Sequence, residues 1–157
     1  MTESESLKQT EIDTRIHIDR VRFYMMQMVH DLLNRIMKHD ASKLGPEELP
    51  IFAKVNHKLK ASTYGSPEYK ELLKELGPAL EHHYRNNTNH HPDALPNGIN
   101  DFSLCDVLEL MADWMAAVER HDNGNIFSSI EHNKTRFRMS DQLCKILENT
   151  AKKLKTS

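Results

Sequence analysis

Apolar side chains recur at helical spacing along most of this chain. Between Ile12 and Lys38 there is no Gly or Pro, and one face carries apolar residues at steps of three to five positions: Ile16, Val21, Met25, Met28, Leu32 and Ile36. A pattern of this period is typical of an amphipathic α-helix. Gly45-Pro46 follows, so we expect this first helix to end near His39-Asp40.

The rest of the chain repeats the pattern between turn signals. We expect helices over residues 46–60, 67–84, 103–120, 125–137 and 141–155, and Gly77-Pro78 should kink or split the second of them. A turn at residues 64–66 and the polar segment 121–124 separate neighbouring helices. The predicted inward positions are Phe52, Val55, Leu59, Leu72, Leu76, Ala79, Leu80, Leu104, Leu108, Met111, Met115 and Val118.

No segment alternates in the way that predicts a strand, so the predicted fold is all-α. We expect a compact single-domain bundle of about six helices over residues 11–157, after a flexible polar lead-in over residues 1–10. Residues 86–101 are rich in Asn, His, Pro and Gly and form the longest predicted loop. A loop of that length inside a compact domain is usually functional or disordered.

Composition and charge exclude some classes of binding partner. The formal net charge of −2 gives no electrostatic footprint for DNA or RNA, so a polymeric nucleic acid is not expected. No apolar run approaches the ~20 residues of a membrane span, and the polar N-terminus lacks a secretory signal, so we expect a cytoplasmic protein with no membrane partner. Cys105 and Cys144 lie in apolar helical patterns and are interpreted as reduced core cysteines.

Histidines occur in three doublets beside turn signals: His39-Asp40, His82-His83 and His90-His91. Imidazole and carboxylate groups are ligands for divalent metals, so convergence of these doublets would form a metal site. The alternative for His39-Asp40 is an ordinary helix stop. Lys43 follows Asp40 by three residues, an offset from which a lysine can meet a phosphate oxygen or the attacking water.

Periodicity distinguishes some of these histidines from their neighbours. His83 continues the inward stripe of its helix, whereas His82 falls on the outer face. Pro92 restricts His91 to extended backbone, but the sequence does not decide between His90 and His91. The similar dipeptide His30-Asp31 lies within a helix, and we assign it no role.

An acidic stripe adds further candidates. Asp106, Glu109 and Asp113 are spaced by three and four residues, which places them on one helix face. Three carboxylates repel one another unless a metal, a basic side chain or solvent offsets their charge. Trp114 adjoins this stripe, either at the edge of a pocket or in the core.

The series His39-Asp40-x-x-Lys43, a later histidine, a His-His pair and Asp106 resembles the HD superfamily of metal-dependent phosphohydrolases. The resemblance implies an HD-like all-α domain that binds one or two divalent metals through His39, Asp40, His83, His91 and Asp106. That superfamily also has a first histidine on an earlier, separate helix. Here the only upstream histidines, His17 and His30, share the helix that ends at His39.

A closer likeness covers nearly the whole chain. It is carried by the strings HDASKLGPEE, TYGSPEYK, ALEHHYRNNTNHHPD and LELMADWMAA. These resemble a small uncharacterised domain family associated with bacteriophages and phage-bearing bacteria, from which no function carries over.

Together these features favour hydrolysis of a phosphoester in a nucleotide or a similar small phosphorylated molecule. The implied cofactor is a divalent ion (Mn, Fe, Co, Ni, Zn or Mg). Lys43 would hold phosphate oxygens, and Glu109 or Asp113 would relay a proton or orient a ligand histidine. Two alternatives stay open: a non-catalytic module that captures a small anionic, nucleotide-like ligand, and a structural protein that acts through an apolar helix face. A homo-oligomer is compatible with all three.

Overall fold

The computed structural model describes residues 2–61, 67–120 and 124–155, and within these ranges the secondary structure is entirely helical. The α-helices are α1 (Glu3–Lys38), α2 (Leu49–Ala61), α3 (Pro67–Glu75), α4 (Gly77–Asn86), α5 (Leu104–Val118), α6 (Ile126–Phe137) and α7 (Asp141–Lys155). Short 3-10 turns occupy Ala41–Leu44, Thr88–His90, Pro92–Ala94 and Gly98–Asp101. The all-α prediction is confirmed. The predicted turn at 64–66 and most of the predicted stop at 121–124 lie outside the described residues.

The described residues form seven α-helices where about six were predicted, because Gly77-Pro78 splits one predicted helix into α3 and α4. Proline has no amide hydrogen to donate to the preceding turn, so it is tolerated at the start of a helix and not within one. α4 accordingly carries its proline in the first turn.

The chain divides into two units, Met1–Lys38 and His39–Ser157. The first unit is α1, which begins at Glu3, where the sequence predicted a lead-in as far as residue 10. Thr2 and Glu5 cap it reciprocally: the Thr2 amide donates to Glu5 Oε2 at 2.7 Å and the Glu5 amide donates to Thr2 Oγ1 at 3.3 Å. Acidic residues in the first turn and basic residues in the last also complement the helix dipole.

In the second unit, α5, α6 and α7 share one hydrophobic core, formed by Leu110, Met111, Trp114, Ile126, Ile130, Met139, Cys144, Leu147 and Ala151. The prediction for α5 is wrong at Leu104 and Leu108, which are 65% and 37% exposed. The buried face of α5 instead carries Leu110 and Trp114. α5 has apolar residues over more than half its circumference, so periodicity alone did not fix which part faces α6 and α7.

A second, smaller core joins α2 and α3. Val55, Leu72 and Leu76 are buried there, and Ile51, Phe52 and Leu80 pack against them. The inward positions predicted for these helices are confirmed, apart from Leu59, whose side chain lies outside the described residues. The segment between α4 and α5, which contains three 3-10 turns, corresponds to the predicted loop at 86–101.

Both cysteines are buried free thiols, as predicted. Within the described part of the chain, none of the helices combines the length and the apolarity that crossing a membrane requires.

Candidate metal centre

The site begins at the turn that follows α1. Asp40 adopts a left-handed backbone conformation with φ 55°, which Asp tolerates better than most residues. Its carbonyl accepts a hydrogen bond from the amide of Lys43 at 2.9 Å, which starts the 3-10 turn Ala41–Leu44. The turn therefore fixes the backbone that carries both His39 and Asp40.

Four side chains from three segments converge on this turn: Asp40, His83 of α4, and His90 and His91 of the following loop. One ligand atom of each lies within 4.8 Å of those of the others. Asp40 Oδ1 is 3.2 Å from His83 Nε2 and 3.3 Å from His90 Nε2, and His83 Nε2 is 2.9 Å from His91 Nε2. His83 and His90 are each 2% exposed or less. We call these four residues the histidine–aspartate cluster.

The contacts of Asp40 Oδ1 do not have hydrogen-bond geometry. This oxygen is buried and makes no hydrogen bond within the described structure, although two imidazole nitrogens lie close to it. Ligand atoms that share one ion at about 2.1 Å stand roughly 3.0 to 3.4 Å apart, as edges of an octahedron or a tetrahedron. The three distances of 2.9, 3.2 and 3.3 Å are therefore those of atoms arranged around a cation.

Two further groups extend the cluster toward α5. His39, His90 and Glu109 form one, and His39, Asp40 and Asp113 form the other. His39 Nδ1 lies 3.0 Å from Glu109 Oε1, and its Nε2 lies 3.9 Å from Asp113 Oδ1. His39 therefore joins Glu109 and Asp113 of α5 to the turn after α1.

A buried glutamate positions His83. Glu48 is completely buried, with Oε2 3.0 Å from His83 Nδ1 and Oε1 2.7 Å from His82 Nδ1. A carboxylate accepts hydrogen bonds, so His83 donates from Nδ1 and presents the lone pair of Nε2 to the cluster. Burial raises the pKa of Glu48, but hydrogen bonds from His82, Ser42 and His83 outweigh it and the pKa is lowered.

Asn87 holds the same region from the end of α4. It is buried, and its side-chain amide donates to Ser42 Oγ at 2.7 Å and to the carbonyl of His83 at 2.9 Å. These bonds tie the 3-10 turn Ala41–Leu44 to α4. The two segments that supply Asp40 and His83 are thus fixed to each other independently of any ion.

Charges in the cluster favour the forms that bind metals. Burial opposes ionisation of Asp40, but the imidazoles of His83 and His90 and the ammonium of Lys43 hold its pKa well below the ordinary value. Lys43 Nζ lies 2.6 Å from Asp40 Oδ2, which leaves Oδ1 directed at the histidines. Burial and the neighbouring His90 and His83 lower the pKa of His91 to about 3, so this imidazole is neutral near pH 7.

The structure brings together seven of the eight residues predicted for the site: His39, Asp40, Lys43, His83, His91, Glu109 and Asp113. It places Asp106 elsewhere. The Asp106 carboxylate accepts a hydrogen bond from the Ser103 amide at 2.6 Å, as part of the capping box of α5. The third residue of a helix after a serine cap is a common place for a carboxylate to accept a hydrogen bond from the amide of the cap residue.

Sequence reasoning left out two important residues. His90 could not be separated from His91, and both belong to the cluster. Glu48 lies just before α2, and its only sequence signal was a carboxylate next to a turn. His82, expected on the outer face, is half-buried against Glu48. Trp114 stacks on Phe137 within the core.

The remaining open candidates, His17 and His30, are exposed residues of α1. No curated protein and no solved structure matches this chain. Residues 6–153, nearly the whole sequence, match the model of a protein family of unknown function. The chain therefore belongs to the family of unknown function DUF5662.

Proposed function

We propose that the histidine–aspartate cluster binds a divalent metal ion and that the protein is a metal-dependent phosphohydrolase acting on a nucleotide or a similar small phosphoester. The observation that carries the proposal is the buried Asp40 Oδ1, which has two imidazole nitrogens at 3.2 and 3.3 Å and no hydrogen bond within the described structure. Leaving a buried carboxylate oxygen unsatisfied costs free energy, and a cation at this point would remove that cost.

Asp40, His83, His90 and His91 would hold the ion, and His39 with Glu109 or Asp113 offers the ligands for a second one. One carboxylate with three imidazoles suits Zn, Mn, Fe, Co or Ni better than Mg, which prefers oxygen ligands. When bound, such an ion supplies a water of lowered pKa and polarises a phosphoryl oxygen.

The neighbouring side chains fit the other requirements of phosphate hydrolysis. The Lys43 side chain is 38% exposed, so its ammonium can bind a phosphate oxygen at the edge of the cluster while it contacts Asp40. Glu109, largely buried, orients His39 through Nδ1. Asp113, with 29% of its side chain exposed, lies on the other side of His39 and can accept a proton at Oδ1.

Metal content and phosphate release test the proposal together. We expect the purified protein to contain Mn, Fe, Co, Ni or Zn at about one ion per chain or more, measured by plasma mass spectrometry. We expect phosphate to be released from at least one member of a panel of nucleotides and sugar phosphates. The substitution His83→Gln should abolish both, whereas His132→Gln, at an exposed histidine of α6, should change neither.

Two results would contradict the proposal in different ways. A protein that carries no metal after exposure to each of these ions, and to Mg, has no metal site. A protein that retains metal and binds a nucleotide but leaves it unchanged after long incubation is not a hydrolase, and this result would support the anion-binding alternative.

A further inference from the structure

Besides the apolar face predicted from the sequence, α1 carries a second apolar stripe, which has a seven-residue repeat. Its positions alternate in steps of four and three: Ile12, Ile16, Asp19, Phe23, Met26, His30, Leu33 and Met37. All eight side chains are exposed. We call this set the α1 seam. A repeat sustained over more than three heptads is typical of helices that pair lengthwise in coiled coils.

The seam is too apolar and too long for an ordinary exposed helix face. Ile16 is 57% exposed, Met26 63% and Met37 81%. α1 has 36 residues and is therefore about 54 Å long, whereas a globule of about 120 residues has a diameter of about 35 Å. Covering the seam from end to end calls for a second element as long as α1.

We infer that the seam pairs with the α1 seam of a second copy of this chain, in antiparallel orientation. In the matching register, the numbers of two residues that face each other add up to about 49. Ile12 then meets Met37 of the second copy, Ile16 meets Leu33, and Phe23 meets Met26. The pairing is symmetric, so each contact occurs twice about a two-fold axis.

The two polar residues of the seam select this register and orientation. Asp19 falls opposite His30 of the second copy, so a carboxylate meets an imidazole that can donate to it. Parallel pairing would instead set Asp19 against Asp19 and His30 against His30. A single polar position in an otherwise apolar seam is a known determinant of register in helix pairs.

The charge distribution along α1 favours the same orientation. Between Glu3 and Asp13 there are four acidic residues and one basic residue, whereas from Arg15 to Lys38 there are five basic and two acidic residues. In this register residues 3–10 extend beyond the end of the other helix, and Glu11 and Asp13 lie alongside its basic residues Arg35 and Lys38. The contact of Asp19 with Arg22 at 3.2 Å is fully exposed and contributes little, so it does not oppose the new contact.

Sedimentation equilibrium of the full-length protein tests the inference. We expect a mass of about twice 18.2 kDa for the unaltered chain. Asp19→Lys alone and His30→Glu alone should each weaken dimerisation at least tenfold, and the double variant should restore it, because the exchanged charges face each other again. Glu3→Lys makes the same charge change on α1 at a position beyond the paired region and should have less than a threefold effect. Circular dichroism verifies that each variant is folded.

A nitroxide label at Gln9→Cys tests the orientation, since Cys105 and Cys144 are buried. Antiparallel pairing predicts a separation of about 46 Å along the helix axes between the two labels, whereas parallel pairing predicts less than about 20 Å. The inference is overturned by a chain that stays monomeric at 100 µM or by the short distance. It is also overturned if Asp19→Lys acts no more strongly than Glu3→Lys.

Other occupants of the seam give different results. A monomer whose melting temperature falls with Met26→Lys would show that the chain covers its own seam. A monomer that sediments with anionic lipid vesicles would show that the seam binds a membrane surface. Either result overturns pairing between copies. Neither depends on metal content or phosphate release, so this inference and the proposed function fail independently.

Discussion

Removal of the carboxylate of Glu48 should weaken metal binding although Glu48 is not itself a ligand in the cluster. Glu48 accepts hydrogen bonds from His82 and His83 while completely buried. In Glu48→Leu, the Ser42 hydroxyl, 3.2 Å from His83 Nδ1, can donate as well as accept, so the Nε2 lone pair needed by a metal is no longer assured. Loss of such an outer partner typically reduces metal affinity about 10- to 100-fold, which corresponds to about 1.4 to 2.7 kcal/mol.

Glu48→Gln separates the effect of proton placement from that of charge. The glutamine oxygen can still accept from His83 Nδ1, while its amide group turns toward His82. His82 has 34% of its side chain exposed, so it can exchange its proton with solvent and accept the new donor. We therefore expect Glu48→Gln to lose less than about tenfold in affinity, clearly less than Glu48→Leu.

The assay is titration of the metal-free protein with Zn²⁺ in the presence of a competing chelator. His82→Asn is the matched control, because it removes the other partner of Glu48 without touching the cluster, and its affinity should stay within about threefold. Urea unfolding of the metal-free variants measures the separate cost of unsatisfied buried groups, about 1 to 3 kcal/mol for Glu48→Leu. Equal losses of affinity in the Gln and Leu variants would refute the reasoning, since charge and not proton placement would then control binding.

Three further predictions concern single groups. Asp40→Asn should abolish metal binding by plasma mass spectrometry, whereas Asp106→Asn should retain the metal and destabilise the fold by about 1 kcal/mol in urea, because it weakens the cap of α5. The melting temperature of the metal-free protein should fall progressively from pH 7.5 to pH 5. The folded structure lowers the pKa of His91 to about 3, so His91 of the unfolded chain takes up a proton at higher pH than His91 of the folded chain. A melting temperature that stays constant or rises over this pH range would contradict this. Burial raises the pKa of the Cys144 thiol, so it should react with a thiol reagent only after unfolding, and rapid labelling of the native protein would disprove this.

The sequence predicted the helices well because their apolar periodicity is strong and Gly and Pro mark their ends. The split at Gly77-Pro78 followed from the missing amide hydrogen of proline. The inward face of α5 was predicted less well. Leu104 and Leu108 belong to the same broad apolar surface as Leu110 and Trp114, and only packing against α6 and α7 decides which part is buried.

The candidate site was predicted where the periodicity or a turn constrained a side chain. His83 lies on the inward stripe of its helix, and the turn after α1 carries His39 and Asp40. The prediction was incomplete where local sequence offered two equivalent interpretations. Asp106 and Glu109 occupy the same acidic stripe, but the serine cap uses the first, and only the tertiary fold brings the second to His39.

The polar groups of the cluster also connect the site with the stability of the second unit. Glu48, His83, His90 and Glu109 are buried in a unit whose two hydrophobic cores are modest, and burying polar groups is costly unless each is satisfied. Hydrogen bonds satisfy His83 and Glu48, but Asp40 Oδ1 and His90 Nδ1 remain without one in the described structure. An ion bound there would supply the missing interaction only in the folded state, so its binding free energy would add to the free energy of unfolding. For this reason, metal affinity and metal-free stability have to be measured separately for every variant of this cluster.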